Sequence, residues 1–487
     1  MKIIQHGFLG TVKKILMKTI TILGAGTSGL VSALILKTRF PNFKINIIKS
    51  KDVGIIGVGE GSTEHWSYFM QFCNIDYYQM IKETGATFKY GVLFKDWTKN
   101  EYLHSVNSLN NIKHGQYLSG YGYAISNNKK NIDYTSSFVL KNKIDITDLP
   151  NQYHFDTNKL NNFLSKICNQ RGINIIEDYI DDIKIQNQNI KYIKGKDKYI
   201  ADFYIDASGF KKILISKLGA KYISYKKYLP MNEAIAFQTK DTKEYYPYTL
   251  SKAMSAGWLW RIPVQNRWGN GYVFDNRYIN AEQAKQECED YLKEKITINK
   301  NIKFEAGMLD KFWIGNCCSI GLSSSFVEPM EASSIGSTIQ QSFILMHFIP
   351  NYSKQAIERY NKLIKSLINN IIDFVQLHYL VKKDKSKFWK NLKIHLTDNL
   401  KEKLKIWKYR LPINEDFSGN YNLFYESNFT IILHALNLFD IKSIKNEYNS
   451  QNNECMKKSK YEVSNYLYQQ KGKYYSDHKD YILSSIN

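Results

Sequence analysis

Thr19 to Leu23 (TITIL) is a short apolar run that passes straight into Gly24-Ala25-Gly26-Thr27-Ser28-Gly29, and the stretch from Ser28 to Lys37 then reads as a helix. A second apolar run, Lys44 to Ile48 (KINII), closes a β-α-β unit about thirty residues long. Each glycine has a physical task in such a unit. Gly24 permits the tight turn, Gly26 lets the backbone approach a pyrophosphate, and Gly29 allows the helix to pack close on the strand. The helix N-terminus offers free N–H groups and a partial positive charge to phosphate. The unit predicts an α/β, Rossmann-like fold that binds a dinucleotide, with Gly24, Ala25, Gly26, Thr27, Ser28 and Gly29 as the contacts.

The remaining chain is legible in outline. Asp156 caps a helix over 156–170 whose apolar face carries Leu160, Phe163, Leu164 and Ile167. From about 173 to 206 short strands alternate with polar turns, which predicts a small sheet that returns to the main one. Residues 230–275 are strand-rich, and beyond Ser334 the pattern becomes helical. The reading is therefore a Rossmann-like core over 17–350 with an inserted β-sheet, and a helical C-terminal region over 351–487. Residues 1–16 are basic and mildly amphipathic, and Met17 opens the first strand directly. They read either as a targeting peptide or, as preferred here, as an extension ahead of the native start.

The formal charge of +22 suggests a nucleic-acid binder, but only seven of the 67 basic residues are Arg. Arg is the usual residue for bidentate contacts to phosphate and guanine, so a Lys-rich surface without it argues against evolved nucleic-acid recognition. Six Cys with no CxxC and no paired metal spacing read as reduced thiols of a cytoplasmic protein. No apolar run approaches the ~18 residues that suggest a membrane span.

Five further segments carry chemistry. Ala201-Asp202-Phe203-Tyr204-Ile205-Asp206-Ala207-Ser208-Gly209 is a strand running into an Asp and a Gly, and it resembles the second FAD contact of flavin monooxygenase-like families. Gly257-Trp258-Leu259-Trp260-Arg261-Ile262-Pro263 matches the WxWxIP signature of flavin-dependent halogenases. Ile55 to Thr63 (IIGVGEGST) resembles that family's flavin strap, followed by Ala86-Thr87-Phe88-Lys89-Tyr90-Gly91, where the family has its catalytic lysine. Ile320-Gly321 through Glu328-Pro329-Met330-Glu331-Ala332-Ser333-Ser334 resembles the stretch with its catalytic glutamate and halide site. The resemblance spans about Thr19 to Gln341, and more loosely the helical tail.

The resemblance implies an enzyme that uses reduced FAD, oxygen and chloride or bromide to make hypohalous acid, which then halogenates a small electron-rich aromatic. Lys89 would activate the halogen, either as a hydrogen-bond donor or as a haloamine, and Glu331 would stabilise the ring cation or take its proton. Ser333 and Ser334 would hold the halide, and Trp258 and Trp260 would keep organic substrate from the flavin. Val58, Gly59, Glu60, Asp206, Gly209 and Gly321 would join the glycine loop around FAD. His104 sits where related enzymes place a histidine near substrate. One departure is that the end of the second strand carries Lys49-Ser50 where a carboxylate usually meets the ribose, so Ser50 is the candidate replacement. The spelling EPMEAS resembles the branch acting on free small aromatics such as indole. No reductase domain is legible, which implies a separate flavin reductase. The competing readings are an aromatic hydroxylase of the same fold and a basic nucleic-acid-binding protein with a vestigial flavin site.

Overall fold

The computed structural model describes residues 18–51, 54, 60–105, 116–129, 135–147, 149–383, 386–419, 421–468 and 474–486. The N-terminal extension, Val58, Gly59 and most of the strap lie outside them.

β1 (Thr19–Leu23) is the axis of a six-stranded sheet. It pairs in parallel with β2 (Lys44–Lys49) on one side and with the strand Phe203–Asp206 on the other. Beyond these, Asn174–Glu177 pairs in parallel with β2, and Cys317–Ser319 pairs in parallel with Phe203–Asp206. Strands buried on both faces need continuous apolar residues, and Ile20, Ile22, Ile45, Ile47, Phe203 and Ile205 are all fully buried. α1 (Thr27–Arg39) covers the sheet and packs against the helix Ser333–Phe348, where the Ser32 and Ser342 hydroxyls meet at 2.8 Å. Leu23, Asp206 and Ser319 therefore end side by side, so three strands deliver their following loops to one edge. Ligands of open parallel sheets bind at such a carboxyl edge.

Asp156 caps the helix Thr157–Gln170 through the N–H groups of Asn158 and Lys159, and its expected apolar face is buried. The region 173–206 divides as expected. Asn174–Glu177 and Phe203–Asp206 join the main sheet, while Asp182–Gln186, Asn189–Lys194 and Lys198–Tyr199 form a small sheet of their own. The strand-rich region contributes four strands to a seven-stranded sheet that also includes Gly91–Lys95 and Tyr102–Ser105. This second sheet carries the WxWxIP segment on its strand Gly257–Val264.

The C-terminal region is not wholly helical. Its strand Tyr475–Asp477 pairs with Lys143–Asp145, and His478 Nε2 accepts the Phe88 N–H at 3.0 Å. The chain end thus returns to the body beside Lys89. All six cysteines are free thiols, and five of them are buried. Among the described residues no helix is long and apolar enough to cross a membrane.

Candidate active site

The glycine loop has the backbone that its sequence requires. Gly24 has φ +118°, and a Cβ there would lie 2.2 Å from the Ala207 carbonyl oxygen; a Cβ on Gly29 would lie 2.0 Å from the Gly24 carbonyl oxygen. Gly26 differs, because a Cβ there would meet nothing within 4 Å. It caps α1 with no side-chain hydrogen bond, and the first turn of the helix carries no acidic residue. The N–H groups of Thr27 and Ser28 thus stand at an uncapped, positive helix end beside open space, a fit for a pyrophosphate. The Ala25 carbonyl is held by Asn161 Nδ2 at 2.7 Å.

The neighbouring loops close on this edge. Gly321 has φ +68°, and a Cβ there would come within 2.6 Å of Ser28 Cβ. Gly209, with φ +68°, opens a short 3-10 turn after Asp206. Asp206 itself is fully buried and engaged by its own chain. Its Oδ2 accepts from the N–H groups of Leu214 and Ile215, and its Oδ1 accepts from the N–H and hydroxyl of Ser208. It fixes the turn that brings Gly209 to the edge and offers the cofactor no unoccupied oxygen. At the end of β2, Lys49 is exposed and Ser50 half-buried. The nearby carboxylate belongs to the next strand, where Glu177 stands opposite Lys49 and pairs with Lys51 at 2.6 Å. Glu60 is described only through its backbone, in the short strand Glu60–Gly61 paired with Tyr153–Phe155.

Ser62 follows that strand and is fixed twice to Tyr153: its N–H donates to the Tyr153 carbonyl, and its Oγ accepts from the Tyr153 N–H, both at 2.9 Å. The Ser62 carbonyl accepts from Lys89 Nζ at 2.8 Å. Lys89 is only 1% exposed. Burial lowers its pKa to about 8, although Glu331 and Glu64 oppose the shift. Glu64 is buried as well; its desolvation pushes it up to about 7, and among the described residues its Oε2 has no hydrogen-bond partner.

Glu331 and Ala332 have φ 62° and 54°. Two consecutive left-handed non-glycine residues cost roughly 1–2 kcal/mol each, and they turn the chain abruptly into the helix Ser333–Phe348. That helix has no side-chain cap, and Ser333 and Ser334 supply its first N–H groups. Ser333 is buried and Ser334 exposed, so the helix end spans the border between interior and surface. An uncapped helix N-terminus of this kind suits a halide. Ser334 has ordinary helical backbone, so a residue with a Cβ is accommodated there without strain.

The left-handed turn also places the Glu331 carboxylate between two imidazoles. His104 Nδ1 lies 2.9 Å from Oε1, off the line of a straight hydrogen bond, and His378 Nε2 lies 3.2 Å from the same oxygen. Burial acts to raise the Glu331 carboxyl, but His104 and His378 outweigh it and hold the group at about 2. The Tyr425 N–H donates to Asn428 Oδ1 at 2.8 Å, which leaves Asn428 Nδ2 to donate to His104 Nε2 at 3.1 Å. That bond assigns the His104 proton to Nδ1, facing the carboxylate. Sequence reasoning singled out Lys89, Glu331 and His104, which the fold brings together. It missed His378, Asn428 and Glu64, whose partners are tertiary; the local signal for His378 was only a polar residue ending a long amphipathic helix.

Trp258 is buried and Trp260 half-buried, their rings 6.2 Å apart. A Cβ on Gly271 would fall 1.9 Å from a Trp260 ring carbon, so this glycine makes room for the indole. Trp258 Nε1 donates to the Tyr379 hydroxyl at 3.1 Å, and that hydroxyl donates to Glu328. Glu328 is pushed up to about 7 by burial, against the hydrogen bonds from Tyr379 and the Met231 N–H.

Comparison with known proteins agrees with this architecture. A family model described as tryptophan halogenase matches residues 19–445. The chain is 28% identical over 448 residues to tryptophan 7-halogenase RebH of Lentzea aerocolonigenes, covering 83% of this chain and 84% of the relative. It is 26% identical over 453 residues to tryptophan 6-halogenase SttH of Streptomyces toxytricini, covering 83% and 86%. Among solved structures, the tryptophan C-6 flavin-dependent halogenase Tar14 superposes with a TM-score of 0.87 at 23% identity, over 96% of this chain and 99% of that one. BrvH, a flavin-dependent halogenase from Brevundimonas sp. BAL3, gives 0.82 at 21% identity, over 97% and 99%.

Proposed function

The chain belongs to the tryptophan halogenase family, whose members are flavin-dependent halogenases, and from this premise we propose that it halogenates an indole- or phenol-like ring by means of hypohalous acid. The enzyme is an oxidoreductase that uses FAD in its reduced form, oxygen and halide. The reduced flavin comes from a separate reductase.

When bound, reduced FAD supplies the two electrons with which oxygen oxidises halide to hypohalous acid and water. Thr27 and Ser28 at the head of α1 take the pyrophosphate, with Gly24, Ala25, Gly26 and Gly29 shaping the loop. Gly209 and Gly321 would line the flavin and Ser50 would meet the ribose. Val58 and Gly59, which lie outside the described residues, and Glu60 beside them are assigned to the cofactor by the family resemblance alone. Ser333 and Ser334 hold the halide with backbone N–H groups, while Trp258 and Trp260 keep organic substrate off the flavin edge. Beyond them, the ammonium of Lys89 positions hypohalous acid by donating a hydrogen bond. The ring carbon takes the halogen as the halogen–oxygen bond breaks, and the oxygen leaves as water with a proton from Lys89. Glu331 balances the ring cation and takes its proton, and a proton then returns to Lys89. Residues 17–350 form the FAD-binding core on this reading, and the region 351–487 completes the substrate side by bringing His378 and Asn428 to it.

The observation that carries the reading is the burial of Lys89 and Glu331 in one site, Gly61 lying beside both the Lys89 side chain and Ala332, with the carboxylate held by two imidazoles. The test is an incubation with reduced FAD, oxygen and bromide against indole, phenol and tryptophan, read by mass spectrometry. Brominated product supports the reading. Hydroxylated product without bromine would replace it with the aromatic hydroxylase.

A further inference from the structure

His378 ends the helix Lys354–His378 and is completely buried. Its Nδ1 lies 2.8 Å from the Phe374 carbonyl, one turn back in the same helix. A carbonyl can only accept, so this bond requires a proton on Nδ1. The other ring nitrogen faces Glu331 Oε1 at 3.2 Å. A bare imidazole nitrogen and a carboxylate oxygen would set lone pair against lone pair, so a proton lies on this axis as well. His104 differs in that its Nε2 accepts from the amide of Asn428, so only its Nδ1 carries a proton, toward the same Oε1.

Both imidazoles converge on Oε1, and among the described residues neither imidazole is paired with Oε2. The ring of His378 is itself fixed on three sides, by Phe94 with centroids 4.8 Å apart, Phe374 at 4.8 Å and His104 at 6.5 Å. These rings hold it beside the carboxylate.

We propose that His378 is the positioning residue for Glu331: it shares a proton with Oε1, keeps the carboxylate ionised in a dry site, and turns Oε2 toward the reacting ring carbon. The proposal rests on the reading of Glu331 as the group that meets the ring cation. When the ring carbon–hydrogen bond breaks, its electron pair restores aromaticity and its proton goes to Oε2. The proton already shared on the Oε1 side makes Glu331 a weak base, so the collected proton is released onward and the carboxylate is ready for the next turnover. The other groups facing Glu331 are Lys89, His104 and Tyr102. Glu64 faces Lys89, and Tyr379, next to His378 in the chain, binds Glu328 instead.

The test compares His378→Asn, His378→Gln and Glu331→Gln in the full chain with reduced FAD and bromide. Halogenated product and flavin oxidation are followed separately from pH 5 to 8. Asparagine keeps a donor near the Nδ1 position and loses the contact to Glu331, whereas glutamine places an amide nitrogen near Nε2. We expect His378→Asn to lower the rate of product formation 10- to 100-fold, with a new acidic limb between pH 5 and 7 that the parent lacks. Flavin oxidation should stay within twofold, and His378→Gln should recover most of the rate at pH 8. Product formation in His378→Asn within twofold of the parent at every pH would overturn the proposal. So would equal loss in both variants with no change in pH profile, which marks a merely structural residue. If His378→Asn does not fold, His378→Ala, which also loses the contact to Glu331, is judged by the same criterion. Full activity in Glu331→Gln would instead overturn the role of Glu331.

Discussion

Lys89 Nζ donates to the Ser62 carbonyl at 2.8 Å, and Ser62 lies at the end of the segment read as the flavin strap. The group placed at the transfer step is therefore fastened to the element placed around the cofactor. Because Ser62 is itself bonded twice to Tyr153, the ammonium is held by rigid backbone.

The first prediction concerns the alkaline limb. Burial holds Lys89 at about 8, well below an ordinary lysine, so the side chain loses its proton as pH rises through that value. If the ammonium donates to hypohalous acid, halogenation falls as pH rises through about 8. Rates should be referred to bromination of the same substrate by added hypobromous acid, which removes the ionisation of the reagent itself. A corrected rate that rises through pH 8 would mean that the free amine reacts, as a haloamine mechanism requires.

Glu331 behaves oppositely. A carboxyl held at about 2 is ionised throughout the assay range, so it adds no acidic limb above about pH 4. Glu331→Gln keeps the shape and removes the charge. We expect a loss of about 10²–10³-fold in product formation, the usual effect of one electrostatic partner in a water-excluded site. Flavin oxidation measured in parallel should be unaffected.

Two glycines of one loop should respond differently to alanine. Gly24→Ala drives a Cβ into the Ala207 carbonyl at positive φ and should destabilise the fold by ~3 kcal/mol or more. Gly26→Ala meets open space in a conformation that alanine adopts easily, so its melting temperature should not change. Its Cβ would occupy the place of the pyrophosphate, and FAD binding should weaken at least about tenfold, ~1.4 kcal/mol. Thermal melts and a fluorescence titration with FAD separate the two effects. Unchanged FAD affinity in Gly26→Ala would move the pyrophosphate elsewhere.

Lys49→Glu should tighten FAD by up to ~1–2 kcal/mol, the scale of a charge-assisted hydrogen bond to the ribose. Repulsion from Glu177, opposite Lys49 on the next strand, subtracts from that gain. Titration of the purified variant checks it, and no gain at all would mean that Ser50 already holds the ribose.

The parts of this protein that were legible in its sequence are those whose chemistry is local. The glycine loop and the Asp156 cap are fixed by neighbours a few positions away. Lys89 and Glu331 were found because each lies in a motif. His378 was not, because its partner is 47 residues earlier in the chain and only packing brings them together. Asn428 reaches His104 across 324 residues. Asp206 was expected to face the cofactor, but four donors of its own loop claim its oxygens, which a strand-Asp-Gly pattern does not reveal. The return of Tyr475–Asp477 to the body was hidden for the same reason, since a short polar strand far from its partner has no periodicity to betray it.

The central claim is that flavin chemistry and halogen transfer use separate groups, and Lys89→Ala tests it most directly. The measurement is a single turnover with stoichiometric reduced FAD, bromide and an indole substrate, following flavin absorbance and brominated product together. We predict flavin oxidation at nearly the parent rate with regioselective product abolished, because the halide is still oxidised but nothing holds the resulting acid at the ring. Regioselective bromination at the parent level would contradict the role of Lys89, and loss of flavin oxidation together with product would contradict the separation of the two sites.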